Sequence, residues 1–326
     1  MDMIKLGGSG LEVFPIAFGT WQLSAAWGGF DEAEATAAIR FARERGVNFF
    51  DTAQAYGFGE SERALGRALR DDLDHCRDEV VIATKGGVRI DEDDARVRDS
   101  SPMWLRDGVE RSLEALGVDY IDLYQVHWPD PKVSFQETGE VLQQMVDEGK
   151  IRHVGVSNFG PGQIDELSRT RPVETLQPPY AMLRREIEAD ILPYCAEHDI
   201  GVLVYGPLAH GLLTGTMSAG HQFAEGDWRG RLSEFRGEDL ARNVAVVAEL
   251  KRFAQARGHT VSQLAIAWTL ANPAVHVSIV GSRSQRHVEE SLGAVDVKLS
   301  PDDLAEIDGI LEGAVQVIGP APERMQ

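Results

Sequence analysis

Two kinds of apolar spacing alternate along this chain. Short β-branched or apolar runs fall at positions 16–19, 48–51, 80–84, 121–125, 153–157, 175–177, 201–205 and 277–280. Between them apolar residues recur every three or four positions, the period of a helix with one buried side. Leu105, Val109, Leu113 and Leu116 make one such stripe, which stops at Gly117; Val141, Leu142, Met145 and Val146 make another, which stops at Gly149. Strands separated by helices predict βαβ units and a parallel sheet, and eight of them favour a closed (β/α)8 TIM barrel over an open sheet. A β-hairpin in MIKLGGSGLEVF is expected to close the barrel bottom, and a further C-terminal helix follows the last strand.

An open dinucleotide-binding sheet is the structural competitor. Its fingerprint is missing: GFGESE lacks the third glycine, GGSGLE follows no strand, and no phosphate loop of the G-x-x-x-x-G-K-[ST] type occurs. No Pro- or Ser-rich linker divides the chain, so residues 1–326 are expected to form a single domain, a length ordinary for one barrel.

Composition narrows the function. With 43% hydrophobic and 26% charged residues the chain can bury a large core. A net charge of −20 repels phosphate backbones and anionic membranes, so neither nucleic acid nor a membrane surface is an expected partner. Of 32 basic residues six are lysine; this arginine-rich, lysine-poor usage fits salt adaptation or a GC-rich genome equally, and makes a lysine inside a motif conspicuous. Cys76 and Cys195 have no CxxC spacing and are expected to be buried reduced thiols. The first residues lack the apolar stretch of a signal peptide, and no run of about 18 apolar residues occurs, so a cytoplasmic location is expected. The remaining histidines, such as His75, His198 and His221, show no metal-ligand spacing, and no metal site is expected.

The polar residues that follow the strands carry the chemistry. Asp51 ends one strand and Tyr56 lies in the next loop; Lys85 follows VVIAT, His127 follows DLYQV, Ser157 and Asn158 stand in GVSNF, Gln177 in LQPP and Tyr205 in LVYGP. Barrel enzymes place their reacting groups at these strand ends. A tyrosine can protonate a carbonyl oxygen once its pKa falls from about 10 toward neutrality, a cost of about 4 kcal/mol. A lysine ammonium about 4 Å away supplies on the order of 4 kcal/mol at an effective dielectric near 20. An aspartate aims that lysine, and a histidine orients the carbonyl and can share the proton. Together they form a carbonyl-reducing set that needs no metal.

The segments DTAQAYGFGESE, VVIATK, DYIDLYQVHWPDP, GKIRHVGVSNF and LQPPY stand in the order found in the aldo-keto reductase superfamily, which the chain resembles from the hairpin to the helix after the last strand. DLYQVHWPDP and YGPLAHGLLTG resemble most the bacterial general-stress branch. The resemblance implies an NADPH-dependent reductase of aldehydes or ketones. It makes Tyr56 the general acid, Lys85 its pKa depressor, Asp51 the partner of Lys85 and His127 the carbonyl-orienting residue. Ser157, Asn158 and Gln177 would bind the nicotinamide carboxamide, and Tyr205 would stack on its ring. Gly206, Pro207, Leu208 and Gly211 match the pyrophosphate loop, and Gly281, Ser282 and Arg283 the segment at the adenosine 2′-phosphate. His287 and Glu290 belong to the adenine-facing segment. A guanidinium suits a phosphate dianion, so NADP(H) is favoured over NAD(H).

Three positions depart from the family pattern. Thr216 stands where lysine is usual, leaving Arg229 or Arg231 to supply a phosphate contact; His287 replaces a glutamine or arginine, and Ser291 an asparagine. Trp21 and Trp128, and less directly Trp27 and Phe30, would line the substrate pocket. The connection from Gly206 to about Leu240 exceeds usual loop lengths and reads as a lid that orders on cofactor binding. Two other functions fit the same letters: an NADP-binding regulatory subunit, and a Schiff-base aldolase using Lys85. Monomer and homo-oligomer are both open.

Overall fold

Strands and helices alternate as the spacing requires. The strands are β1 (Ile4–Lys5), β2 (Glu12–Val13), β3 (Ile16–Gly19), β4 (Phe49–Asp51), β5 (Val81–Gly86), β6 (Val88–Ile90), β7 (Arg96–Arg98), β8 (Ile121–Val126), β9 (Ile151–Ser157), β10 (Thr175–Gln177), β11 (Gly201–Tyr205) and β12 (Val277–Gly281). The computed structural model describes residues 2–24, 30–225 and 227–317; Trp27 lies outside them. Strands β3, β4, β5, β8, β9, β10, β11 and β12 pair in that order, in parallel, and β12 returns to β3, closing the predicted (β/α)8 barrel.

Side-chain alternation divides each strand between two cores. Phe18, Phe50, Ile82, Tyr124, Val156 and Val204 point outward and pack with the helices. Ala17, Phe49, Val81, Ala83, Leu123, Leu203, Val277 and Ile279 point inward and fill the barrel together with Leu6 and Val13 of the N-terminal segment. Continuing the inward set by two residues gives Asp51 after Phe49, Lys85 after Ala83, Gln125 after Leu123 and Tyr205 after Leu203. The barrel is therefore apolar below and polar at its C-terminal mouth.

The N-terminal hairpin β1–β2 plugs the bottom as expected. Gly8 donates its N–H to the Asp199 carbonyl at 2.8 Å, and a Cβ on Gly7 would collide with the Gly201 nitrogen, so only glycine allows this approach. Leu6 is fully buried against the inward core, a contribution of about 2 kcal/mol.

The outer helices begin and end where local chemistry dictates. Pro102–Leu116 starts behind Ser101, whose Oγ accepts from the Trp104 N–H, and ends at Gly117 in the left-handed conformation (φ 67°, ψ 45°). Phe135–Asp147 opens on a Ser134–Glu137 capping box. Pro301–Leu311 supplies the expected C-terminal helix.

Several boundaries differ from the sequence expectation. β5 and β8 continue through Lys85 and Val126, because Lys85 stays in register with Gln125 and Gly86 with Val126; a lysine after an apolar run reads as loop until its buried partner is known. The antiparallel hairpin β6–β7 was not expected at all. The 206–240 connection is not a bare loop but contains the 3-10 turns Ala209–Thr214, Trp228–Arg231 and Ser233–Phe235, and Gly237–Ala256 is already helical. Cys195 is buried, but Cys76 is half-buried, its Sγ 3.7 Å from Asp72 Oδ1. No helix among the described residues is long and apolar enough to cross a membrane.

Candidate active site

Asp51 ends β4 facing inward, and Lys85 reaches it from β5 across the barrel mouth. The Lys85 Nζ donates to Asp51 Oδ1 at 2.6 Å, to the Thr52 carbonyl at 2.9 Å and to Tyr56 Oη at 3.4 Å. Its side chain is fully buried. Tyr56 is delivered by a tight turn in which Gly57 (φ +70°) and Gly59 (φ +95°) adopt the conformation that favours glycine before helix Glu60–Ala68. His127, one residue past β8, lies edge-on to the Tyr56 ring at 5.9 Å between centroids. Burial, with the nearby positive charges of Lys85 and Arg96, holds the His127 imidazole well below its ordinary pKa, so it is neutral at pH 7.

Beneath this group the polar side chains form one network. Gln177 Nε2 donates to Asp51 Oδ2 at 2.9 Å and to Gln125 Oε1 at 3.2 Å. Ser157 Oγ donates to the Gln177 carbonyl at 2.8 Å. Asn158, held at φ 63°, donates from Nδ2 to the His127 carbonyl at 3.1 Å and to Ser157 Oγ at 3.0 Å, while its Oδ1 accepts from Tyr205 Oη at 2.9 Å. Ser157, Asn158 and Gln177 thus bind one another and the Asp51–His127 group. Gln125, which sequence reasoning passed over as an ordinary strand residue, is fully buried at the centre of this network.

The segments assigned to a dinucleotide lie at the same end of the barrel, after β11 and β12. Gly206 and Gly211 adopt positive φ (70° and 95°) around Pro207 and Leu208. Arg229 comes to this segment: its Nη1 donates to the His210 carbonyl at 3.2 Å and its Nη2 pairs with Asp227 at 2.6 Å. Thr216 is hydrogen-bonded to Thr214 instead (2.8 Å). After Gly281, the Ser282 hydroxyl donates to the Ser284 carbonyl at 3.0 Å, and exposed Arg283 precedes helix Gln285–Leu292. His287 stands 2.9 Å from Arg286, Glu290 is half-buried, and Ser291 Oγ donates to the His287 carbonyl at 2.8 Å.

Aromatic residues wall the mouth. The Trp21 ring is 6.4 Å from Tyr56, and Trp228 is 6.0 Å from Trp21. Trp128 packs with Ala55 and Val88, and Tyr205 borders them. Phe30 packs against the outer core instead. Trp228 and the β6–β7 hairpin were not singled out from sequence. Alternating residues on either side of the polar turn DEDDA were the available signal for that hairpin.

Matches to known proteins agree with this geometry. Residues 15–312 match the model of the aldo/keto reductase family. The chain belongs to that family. This aldo-keto reductase is 37% identical over 323 residues to aldo-keto reductase YhdN of Bacillus subtilis, covering 98% of this chain and 97% of that one. It is 31% identical over 308 residues to aldo-keto reductase yakc [NADP(+)] of Schizosaccharomyces pombe, covering 93% and 90%. The solved structure of glycerol dehydrogenase AKR11B4 from Gluconobacter oxydans superposes with a TM-score of 0.89 at 36% identity over 98% of each chain.

Proposed function

We propose that this aldo-keto reductase is a single barrel domain over residues 1–326 that reduces aldehydes or ketones to alcohols with NADPH, using Tyr56 as general acid. The observation that carries the reading is the buried ammonium of Lys85, 3.4 Å from Tyr56 Oη and fixed by Asp51 at 2.6 Å. At that separation the attraction to a phenolate is about 5 kcal/mol at an effective dielectric near 20, part of which Asp51 cancels. Lys85 thereby stabilises the phenolate left when Tyr56 gives its proton to the carbonyl oxygen. Neutral His127 orients that oxygen by hydrogen bonding; its depressed pKa favours this role over sharing the proton.

The fit to a dinucleotide rests on residues already described. Tyr205, half-exposed at the mouth, offers its ring to a nicotinamide, with the edges of Ser157, Asn158 and Gln177 beside it. Gly206 and Gly211 leave backbone open to a pyrophosphate, with Arg229 replacing the usual lysine beside Gly211. Arg283 and His287 sit at the start of Gln285–Leu292, where helix N–H groups favour a phosphate, and Glu290 lies in the second half of the same helix, on the adenine-facing segment. When bound, the reduced nicotinamide supplies the hydride. Trp21 and Trp128 border the substrate. A Schiff-base role for Lys85 is disfavoured because its ammonium makes all three of its hydrogen bonds within the site.

Purified protein is expected to oxidise NADPH in a screen of aldehydes, ketones, sugars and quinones, and Arg283→Ala to lose NADPH affinity selectively over NADH. Tight NADPH binding without turnover on any of these would replace the reductase reading with that of a cofactor-binding regulatory subunit. Protection of the 216–227 segment from protease by NADPH is expected of a lid; equal cleavage with and without NADPH removes that part.

A further inference from the structure

The β6–β7 hairpin follows the end of β5 at Gly86 after the single residue Gly87 and packs at the mouth on Trp128 and Ala55. It is pinned there. Trp104 Nε1 donates to the Val88 carbonyl at 3.2 Å, the Asp99 N–H to the Gly87 carbonyl at 3.0 Å, and the Ser100 N–H to Asp130 Oδ2 at 3.0 Å. Val88 is register-paired with Arg98, and Ile90 with Arg96, so these four side chains share one face. The Val88–Arg98 end of that face is turned to the site: Val88 packs on Trp128 and Ala55, and the Arg98 guanidinium lies over the Trp128 ring at 5.4 Å while donating to the Pro129 carbonyl at 3.1 Å. The Ile90–Arg96 end lies further out, with Ile90 exposed.

Arg96 stands two residues from Arg98 on that face, roughly 7 Å further along the strand, and its charge is felt by the buried imidazole of His127. The other arginines of the hairpin are committed. Arg89 pairs with Asp99 at 2.8 Å on the opposite face, and Arg98 is held by Trp128 and Pro129. Arg96 makes no side-chain hydrogen bond or ion pair among the described residues, although Asp91, Glu92, Asp93 and Asp94 lie within five positions of it. Those acids occupy the turn, where Asp91 Oδ1 already accepts from the Asp93 and Ala95 N–H groups. In a chain of net charge −20, a half-buried guanidinium with no counter-ion among the described residues, at the outer end of the hairpin face that packs on Trp128, is placed for an anion that arrives from outside.

We propose that Arg96 recognises a carboxylate or phosphate carried by the carbonyl substrate several bonds from its reacting carbon. The substrate class is thus anionic aldehydes or ketones, with Trp128 and Val88 covering the connecting chain. This rests on the reductase reading above. A guanidinium binds either anion through two parallel N–H donors, and a charge-assisted contact of this kind corresponds to about 10- to 100-fold in binding.

The test compares matched pairs with NADPH: succinic semialdehyde against butanal for a carboxylate, and glyceraldehyde 3-phosphate against glyceraldehyde for a phosphate. The wild type is expected to favour the anionic member of at least one pair by about 10-fold or more in kcat/KM, chiefly through KM. Which pair shows it identifies the anion. In Arg96→Gln that ratio is expected to collapse, and in Arg96→Lys to recover in part. Equal kcat/KM within both pairs for the wild type, or an unchanged ratio in Arg96→Gln, overturns the proposal while the reductase reading stands. Absence of NADPH oxidation by the wild type with all four compounds overturns this proposal, and absence across the wider screen of aldehydes, ketones, sugars and quinones overturns the reductase reading with it. The wild-type comparison decides the matter even if a variant does not fold.

Discussion

Lys85 Nζ lies 2.6 Å from Asp51 Oδ1 and 3.4 Å from Tyr56 Oη, with the lysine side chain fully out of solvent. One carboxylate holds the ammonium, and the ammonium in turn faces the phenol. Tyr56→Phe keeps the ring against Trp21 and removes only the proton donor. Turnover is expected to fall by about 100- to 10,000-fold, the usual worth of a positioned general acid, while NADPH binding stays near wild type. Kinetics and fluorescence titration check this; retention of a tenth of the activity would remove Tyr56 from the acid role.

Breaking the pair costs stability as well as function. Lys85→Met leaves the Asp51 carboxylate buried with Gln177 but no cation, and the expected loss is about 3–5 kcal/mol. The double variant Asp51→Asn/Lys85→Met removes both charges and is expected to recover part of that loss. Urea unfolding of the two variants measures the coupling. If they are equally destabilised, the cost comes from packing and not from an unpaired charge.

His127 gives stability a pH dependence of defined sign. Its pKa in the fold is depressed, so below its ordinary value near 6.5 the unfolded chain takes up a proton that the folded protein does not. Stability from this group is therefore intact above about pH 6.5 and falls with acidification, approaching about 1.4 kcal/mol per pH unit. His127→Gln is expected to flatten the curve by that slope between about pH 6.5 and 5. Identical slopes in wild type and variant would mean that the imidazole protonates freely in the fold.

Gly86 and Tyr124 make a steric pair next to the site. A Cβ at Gly86 would collide with the Tyr124 hydroxyl, which is buried and has no hydrogen-bond partner among the described residues. Gly86→Ala is expected to destabilise by about 1–3 kcal/mol. Tyr124→Phe removes an unsatisfied hydroxyl, is expected to be neutral or slightly stabilising, and should recover part of the Gly86→Ala loss. Thermal unfolding of the three variants decides it; strict additivity would rule out the contact.

The barrel was legible because its alternation is local: each strand is a short apolar run, and each helix is marked by its own stripe and stop, as at Leu116–Gly117. The strand-end residues Asp51, Lys85 and His127 were legible for the same reason, since the register that buries Phe49, Ala83 and Leu123 carries the polar residues that follow to the mouth. What only the tertiary structure decided is what those side chains touch. Gln177 turns out to hold Asp51, Tyr205 to hold Asn158, and Trp228 to reach Trp21 from a segment about two hundred residues distant in sequence. Arg96 was invisible as a site residue because one arginine among many has no local mark. Its meaning comes from the hairpin that carries it to the mouth and from the absence of a carboxylate against it among the described residues. Local periodicity fixes which face a residue takes; partners are fixed by closure of the barrel, which brings together strand ends that no sequence spacing records.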